Sequence, residues 1–262
     1  MIQKIENPII ELHNLTVVYH NKPAIWNVDY TLPSGQMIGI MGPNGSGKTT
    51  MLKAMMGLIK PSSGYVRIFG QDLDKVREKV AYVPQRSAVD WDFPASVFDV
   101  VLMGRYKPSN LFKRSSKHDK EVAMECIHKV QLDKFVHRQI SQLSGGQQQR
   151  VFIARALAQE ADLYLLDEPF AGVDVTTENA IISLLKEMKQ KGKTIIVVHH
   201  DLQTAPEYFD WLVMLNTRLI ASGKTSEIFV PEILNEVYGG KLNILTEVSD
   251  LMKQKSHPVR EK

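Results

Sequence analysis

The chain has one cysteine, Cys126, in 262 residues. No internal disulfide can brace the fold, and a reducing, cytosolic setting is the expectation. Cys126 lies in the helical pattern DKEVAMECIHKV, which reads as a buried, inert thiol. Long hydrophobic runs are also missing. LYLL at 163–166 and TIIVV at 194–198 fall far short of the ~20 apolar residues that cross a bilayer, so nothing here predicts a membrane span. The opening MIQKIENPII has no apolar core behind a basic start, and the expectation is again the cytoplasm. Net charge is only +3, which gives no electrostatic ground for binding nucleic acid or a lipid surface. There is no internal repeat and no low-complexity segment. Apart from HH at 199–200, the histidines show no paired helical spacing with carboxylates, so no resident protein metal site is expected from them. What remains is an ordinary globular composition, 44% hydrophobic and 23% charged. That length suits one main domain with a smaller inserted subdomain.

The order of patterns predicts an α/β fold. IIELHNLTVVY and AIWNVDYTL alternate apolar and polar positions around NKP, which reads as the turn of an antiparallel hairpin. MIGIMG at 37–42 reads as a short buried strand, TTMLKAMMGLI as a helix ended by PSSG, and YVRIFG as a return to strand. From about 87 to 142 the pattern turns helical, with SVFDVVLMGRY and KHDKEVAMECIHKVQLDKFV separated by the basic loop KPSNLFKRSSK. This is expected to be an inserted helical subdomain. A helix (151–158), a strand (162–167), a helix (about 176–190), a strand (194–199), a helix near 203–208 and the strand WLVML follow. Such alternation predicts a parallel sheet covered on both faces. Residues 1–252 are read as one domain with that insertion, and 253–262 as a charged flexible tail.

GPNGSGKTT carries the clearest chemistry. Gly42, Gly45 and Gly47 let the backbone turn so that successive N–H groups face phosphate oxygens, and the next helix points its positive end at them. Pro43, Asn44, Ser46 and Thr50 complete the loop. Lys48 is placed to reach the β and γ phosphates, and the Thr49 hydroxyl to hold Mg²⁺. In DLYLLDE a buried strand ends in two carboxylates. Asp167 is the expected Mg²⁺ ligand and Glu168 the group that polarises an attacking water. In VVHHD, His200 follows the end of another strand, where ligands of open sheets sit, and is assigned to the γ-phosphate. His199 is read as a packed or solvated neighbour. Asp90 and Asp92 are read as solvated or capping acids rather than metal ligands.

LSGGQQQR at 143–150 is a second glycine-rich helix start. Ser144 is a good N-cap, Gly145 and Gly146 leave backbone N–H groups uncovered, and no lysine follows. This is an anion receptor without a nucleotide of its own. A symmetric head-to-tail homodimer would let each such helix tip close over the ATP held by the partner's phosphate loop.

The ordered set GPNGSGKT, Gln85 in YVPQR, LSGGQQQR, DLYLLDE, AGVD and VVHHD resembles the ATP-binding subunits of ABC transporters, over about residues 9–240. The resemblance implies a P-loop NTPase core with an antiparallel β subdomain and an inserted helical subdomain. It also implies ATP and Mg²⁺ as ligands and ATP hydrolysis coupled to transport. Residue by residue it implies that Tyr19 stacks on adenine, that Gln85 touches Mg²⁺ and the water, that Gln147 belongs with Ser144, Gly145 and Gly146, and that Asp174 links the two sites of the dimer. Residues 84–106 and DEPFAGVDVTTE resemble bacterial importers of manganese, zinc or iron chelates, manganese first. The implied partners are two integral membrane permease subunits and, indirectly, an extracellular metal-binding protein, with the chain on the cytoplasmic face of the membrane. A soluble single-cassette ATPase of iron-sulfur assembly type is the alternative.

Overall fold

The computed structural model describes residues 5–106 and 115–239. The expected tail at 253–262 and most of the basic loop KPSNLFKRSSK lie outside the described residues. The chain divides into two compact units, Met1–Leu73 with Val198–Lys262, and Asp74–Val197.

The first unit opens with a hairpin of β1 (Ile10–Tyr19) and β2 (Lys22–Leu32), and β4 (Ser63–Ile68) pairs antiparallel on the other side of β1. The turn is His20–Asn21, with φ of 47° and 65°, and not NKP as the sequence pattern suggested. Two consecutive left-handed residues make the tight hairpin turn whose twist matches the strands, and asparagine and histidine tolerate that region better than most residues. Lys22 and Pro23 therefore open β2 instead of preceding it, and proline is tolerated because β2 is an outer strand. Tyr65 to Ile68 belong to this antiparallel sheet, so YVRIFG is not part of the alternating α/β series.

The same unit contains β3 (Met37–Met41), whose five residues are all buried. It pairs parallel to β8 (Trp211–Asn216), and β9 (Arg218–Lys224) runs antiparallel on the far side of β8. The tight β8–β9 connection at Thr217 (φ 58°) allows only an antiparallel partner, which departs from the all-parallel expectation. Helix α1 (Lys48–Met55) follows the glycine-rich loop 42–47 and stops earlier than its apolar pattern, because Gly57 turns left-handed at φ 64°.

The division between the units falls at α2 (Leu73–Val76). In the second unit β5 (Val80–Val83) pairs parallel to β6 (Leu163–Asp167), with β7 (Thr194–Val198) next in order. β6 and β7 are buried at every position. At ~1.5–3 kcal/mol for each large apolar side chain removed from water, these two strands anchor the unit. Between β5 and β6 lie α3 (Val97–Leu102), α4 (Lys117–Lys129) and α5 (Gly145–Ala158), and α6 (Val175–Gln190) follows β6. Each start is capped by its own sequence. Ser96 with Asp99, Ser116 with Asp119, and Ser144 with Gln147 form reciprocal capping boxes. Arg105 ties three pieces together by donating to Asp119, to the Ala158 carbonyl at the end of α5, and to Glu160. Cys126 is buried, which pushes its thiol up to about 11 and keeps it protonated. Short helices α7 (Ala205–Tyr208), α8 (Thr225–Ile228) and α9 (Pro231–Tyr238) complete the first unit.

Candidate functional site

In the first unit the loop 42–47 leaves the end of β3 and enters α1. Gly42 has φ 151°, and a Cβ there would lie 1.9 Å from the carbonyl oxygen of Leu215 on β8. Gly47 has φ 98°, and its Cβ would lie 2.3 Å from the Ala24 carbonyl oxygen on β2. Both positions require glycine because neighbouring backbone has closed on them. The loop is pinned by Ser46 N–H donating to the Pro43 carbonyl and by Thr217 N–H donating to the Ser46 carbonyl. Asn44 and Gly45 form its tip, and Thr49 and Thr50 lie in the first turn of α1. Lys48 is 6% exposed, and its Nζ donates to the carbonyls of Gly42 at 2.8 Å and Pro43 at 3.0 Å. The ammonium is thus folded over the loop, inside a ring of backbone that ends in a helix N-terminus. No acidic residue occupies the first turn of α1. This arrangement concentrates positive potential where an anion can enter.

His199 and His200 also belong to this unit. His199 N–H donates to the Ile40 carbonyl at 3.1 Å, which sets the segment beside the C-terminal end of β3. The His199 ring is buried, and that burial pulls it down to about 4, so it is neutral at pH 7. Its Nε2 lies 2.8 Å from Thr204 Oγ1, whose own proton goes to Asp201 Oδ2 at 3.2 Å. Nε2 therefore donates. The neighbour of His200 is a fixed strut rather than a solvated ring, and His200 itself is exposed. Tyr19, at the end of β1, is 44% exposed.

In the second unit Asp167 ends β6 at 0% exposure. Its charge adds to burial in pushing the Tyr82 hydroxyl up to about 12, so the carboxylate acts on that part of β5. Glu168 follows with φ 50°, a left-handed geometry costly for a non-glycine residue. Its Oε2 accepts a hydrogen bond at 3.0 Å from Gln85 Nε2. Gln85 and Glu168, far apart in sequence, are in direct contact. Ser144 caps α5, and Asp174 caps α6 by accepting from Thr177 N–H at 2.8 Å, a bond that holds its carboxylate below the usual range. A Cβ on Gly146 would lie 3.6 Å from Val173 and 3.7 Å from Thr177, so the two helix starts are neighbours. Gln147 closes the capping box by accepting from Ser144 N–H at 3.0 Å. Asp90 Oδ1 accepts from Asp92 N–H, and both acids are exposed. Among the described residues no group of three or more His, Cys, Asp or Glu could hold a metal.

Two side chains of this unit were not anticipated. Arg86 reaches the start of α5, and Gln148, inside the QQQ run, is buried and meets it. No motif marks such a contact, since it joins segments distant in the chain.

The sequence profile of the family described as ABC transporter matches residues 25–171. The chain is 54% identical over 238 residues to a manganese transport system ATP-binding protein of Bacillus subtilis, covering 91% of this chain and 95% of that protein. It is 55% identical over 234 residues to a zinc transport system ATP-binding protein of Treponema pallidum, covering 89% and 88%. Among solved structures it resembles a dimeric ATP-binding cassette bound to ADP and Pi, with a TM-score of 0.71 and 32% identity, over 82% of this chain and 98% of that one.

Proposed function

The chain belongs to the ABC transporter family and has its P-loop ATPase fold, and from that premise we propose that it powers a bacterial metal-ion importer carrying manganese. The observation that carries the reading is the near-full-length identity to a manganese transport ATP-binding protein. The zinc transport relative is equally similar, so zinc is the competing ion, with an iron chelate behind it.

In this reading Gly42 to Thr50 wrap the triphosphate, and Lys48 exchanges its two carbonyl contacts for phosphate oxygens. Tyr19 stacks on adenine, a contact worth ~1–3 kcal/mol by analogy with base stacking. Thr49, Asp167 and Gln85 would hold Mg²⁺, and a hydroxyl, a carboxylate kept out of water and an amide carbonyl are the hard oxygen donors that ion takes. When bound, the ion neutralises charge on the phosphates. Glu168 takes the proton of the attacking water, with Gln85 orienting its carboxylate, and the exposed His200 ring meets the γ-phosphate. Ser144, Gly145, Gly146 and Gln147, with Asp174 beside them, complete the ATP site of a second copy in a head-to-tail homodimer. The dimer docks beneath two integral permease subunits at the cytoplasmic face, and an extracellular binding protein delivers the ion. Residues 1–252 act as the ATP-binding domain with 87–142 as its helical insertion, and 253–262 as a tail.

Deleting the gene and measuring uptake of labelled manganese and zinc tests the ion. Loss of manganese uptake with zinc uptake retained is the expected result, and the reverse pattern would overturn it. The soluble iron-sulfur alternative predicts no membrane partner, so recovery of the tagged chain with permease subunits from detergent extracts opposes it.

A further inference from the structure

Gln85 and Arg86 are adjacent, yet their side chains reach two different places. Gln85 donates to Glu168, the proposed base. Arg86 Nε donates to Gln148 Oε1 at 3.0 Å, and its guanidinium lies so close to Gly145 that a Cβ there would be 3.0 Å from Cζ and Nη1. Gln148 has no freedom to turn away, because its other end donates to the Ile140 carbonyl at 3.1 Å and the residue is buried. The Arg86 carbonyl is fixed as well. It accepts from Trp91 Nε1 at 2.9 Å, and the Trp91 ring packs edge-on against Phe152 of α5, centroids 5.1 Å apart. The loop behind Gln85 is therefore fastened to α5 at two points, one at Gly145 and Gln148 in its first turn and one at Phe152, four residues past Gln148.

We propose that Arg86 is a positioning residue for ATP hydrolysis: through Gln148 and Gly145 it holds the first turn of α5 in register with the Gln85–Glu168 pair, so that the base and the helix tip serving the partner's nucleotide move together. A guanidinium suits this role because its planar fork satisfies one acceptor along a fixed direction while lying flat against a glycine, which a lysine ammonium does not do. Arg86 is itself exposed, so its removal leaves no hole in the core.

The inference rests on the ATPase reading, and steady-state phosphate release by the full chain tests both. Arg86→Ala is expected to lower kcat about tenfold with the Kd for ATP unchanged within about twofold. Gln148→Met, which removes the acceptor at similar volume, should do the same. Gln148→Met also removes the bond to the Ile140 carbonyl, so it sets the floor: the double variant should be no slower than Gln148→Met alone, which already lacks the link that Arg86→Ala breaks. A kcat within about twofold of wild type in Arg86→Ala, or a double variant slowed about a hundredfold as the product of the two, would overturn the inference. So would a loss of ATP affinity that parallels the loss of rate, because that is what general loosening produces. A wild-type chain that releases no phosphate contradicts the ATPase reading itself, and the inference falls with it.

Discussion

Alanine at Gly42 should cost far more stability than alanine at Gly45, although both residues sit in the same loop with positive φ. At Gly45 the backbone has φ 80° and a Cβ would meet nothing within 4 Å, so the only cost is left-handed strain of ~1–2 kcal/mol. At Gly42, φ is 151° and the Cβ would sit 1.9 Å from the Leu215 carbonyl oxygen and 2.8 Å from Ser46 Oγ. The carbonyl belongs to β8, whose strand is held by β3 and β9 on either side, so it cannot swing aside as a side chain would. Backbone strain of ~1–3 kcal/mol and overpacking of a similar ~1–3 kcal/mol add to roughly 4 kcal/mol. At ~2–4 °C per kcal/mol for a domain of this size, thermal unfolding without nucleotide should fall by roughly 10 °C for Gly42→Ala and roughly 4 °C for Gly45→Ala. Calorimetry of the two variants measures this. Equal losses, or a larger loss at Gly45, would refute the packing argument and the geometry it is built on.

Lys48→Ala removes the cation that the Gly42 and Pro43 carbonyls now hold, and about a hundredfold weaker ATP binding is expected from losing charge-assisted bonds of ~1.5–3 kcal/mol. Equilibrium titration with ATP checks it, and wild-type affinity would contradict the assignment of the loop. His199 predicts a pH dependence. Burial holds the folded ring at about 4 against an ordinary value of 6.5, so the unfolded chain binds the extra proton first and stability falls as pH drops from 6.5 toward 4. The full effect is about 3 kcal/mol, and melting curves at pH 7 and pH 5 should converge toward those of His199→Asn at the lower pH. Glu168→Gln should bind ATP normally and hydrolyse it roughly 10² to 10⁴ fold more slowly.

The local structure around the candidate site was legible where a few neighbouring residues set it. A glycine loop between a strand and a helix, a serine cap three residues before a glutamine, and carboxylates at the end of an apolar strand are all set within a few residues, and α1, α5 and β6 have those features. Contacts between distant segments left no such trace. Nothing near Gln85 marks Glu168 as its partner, and nothing in QQQR marks Gln148 as the one that meets Arg86. The hairpin turn was misplaced because proline is the stronger turn signal, while the deciding fact was that His20 and Asn21 both take left-handed geometry. α5 starts six residues ahead of its apolar pattern because the Ser144–Gln147 box offsets the poor helix propensity of two glycines. YVRIFG was legible as a strand, but its pairing with β1 was not, because pairing depends on register with a distant partner, which alternation alone does not encode.

Under the proposed function two copies close head to tail on ATP, each offering the start of α5 to the other's triphosphate. Light scattering of Glu168→Gln measures it directly, with and without Mg-ATP. Dimer should form only with the nucleotide and be lost when Ser144 is also replaced by arginine, whereas a protein that stays monomeric with Mg-ATP, or dimerises equally well with Ser144→Arg, would contradict the account.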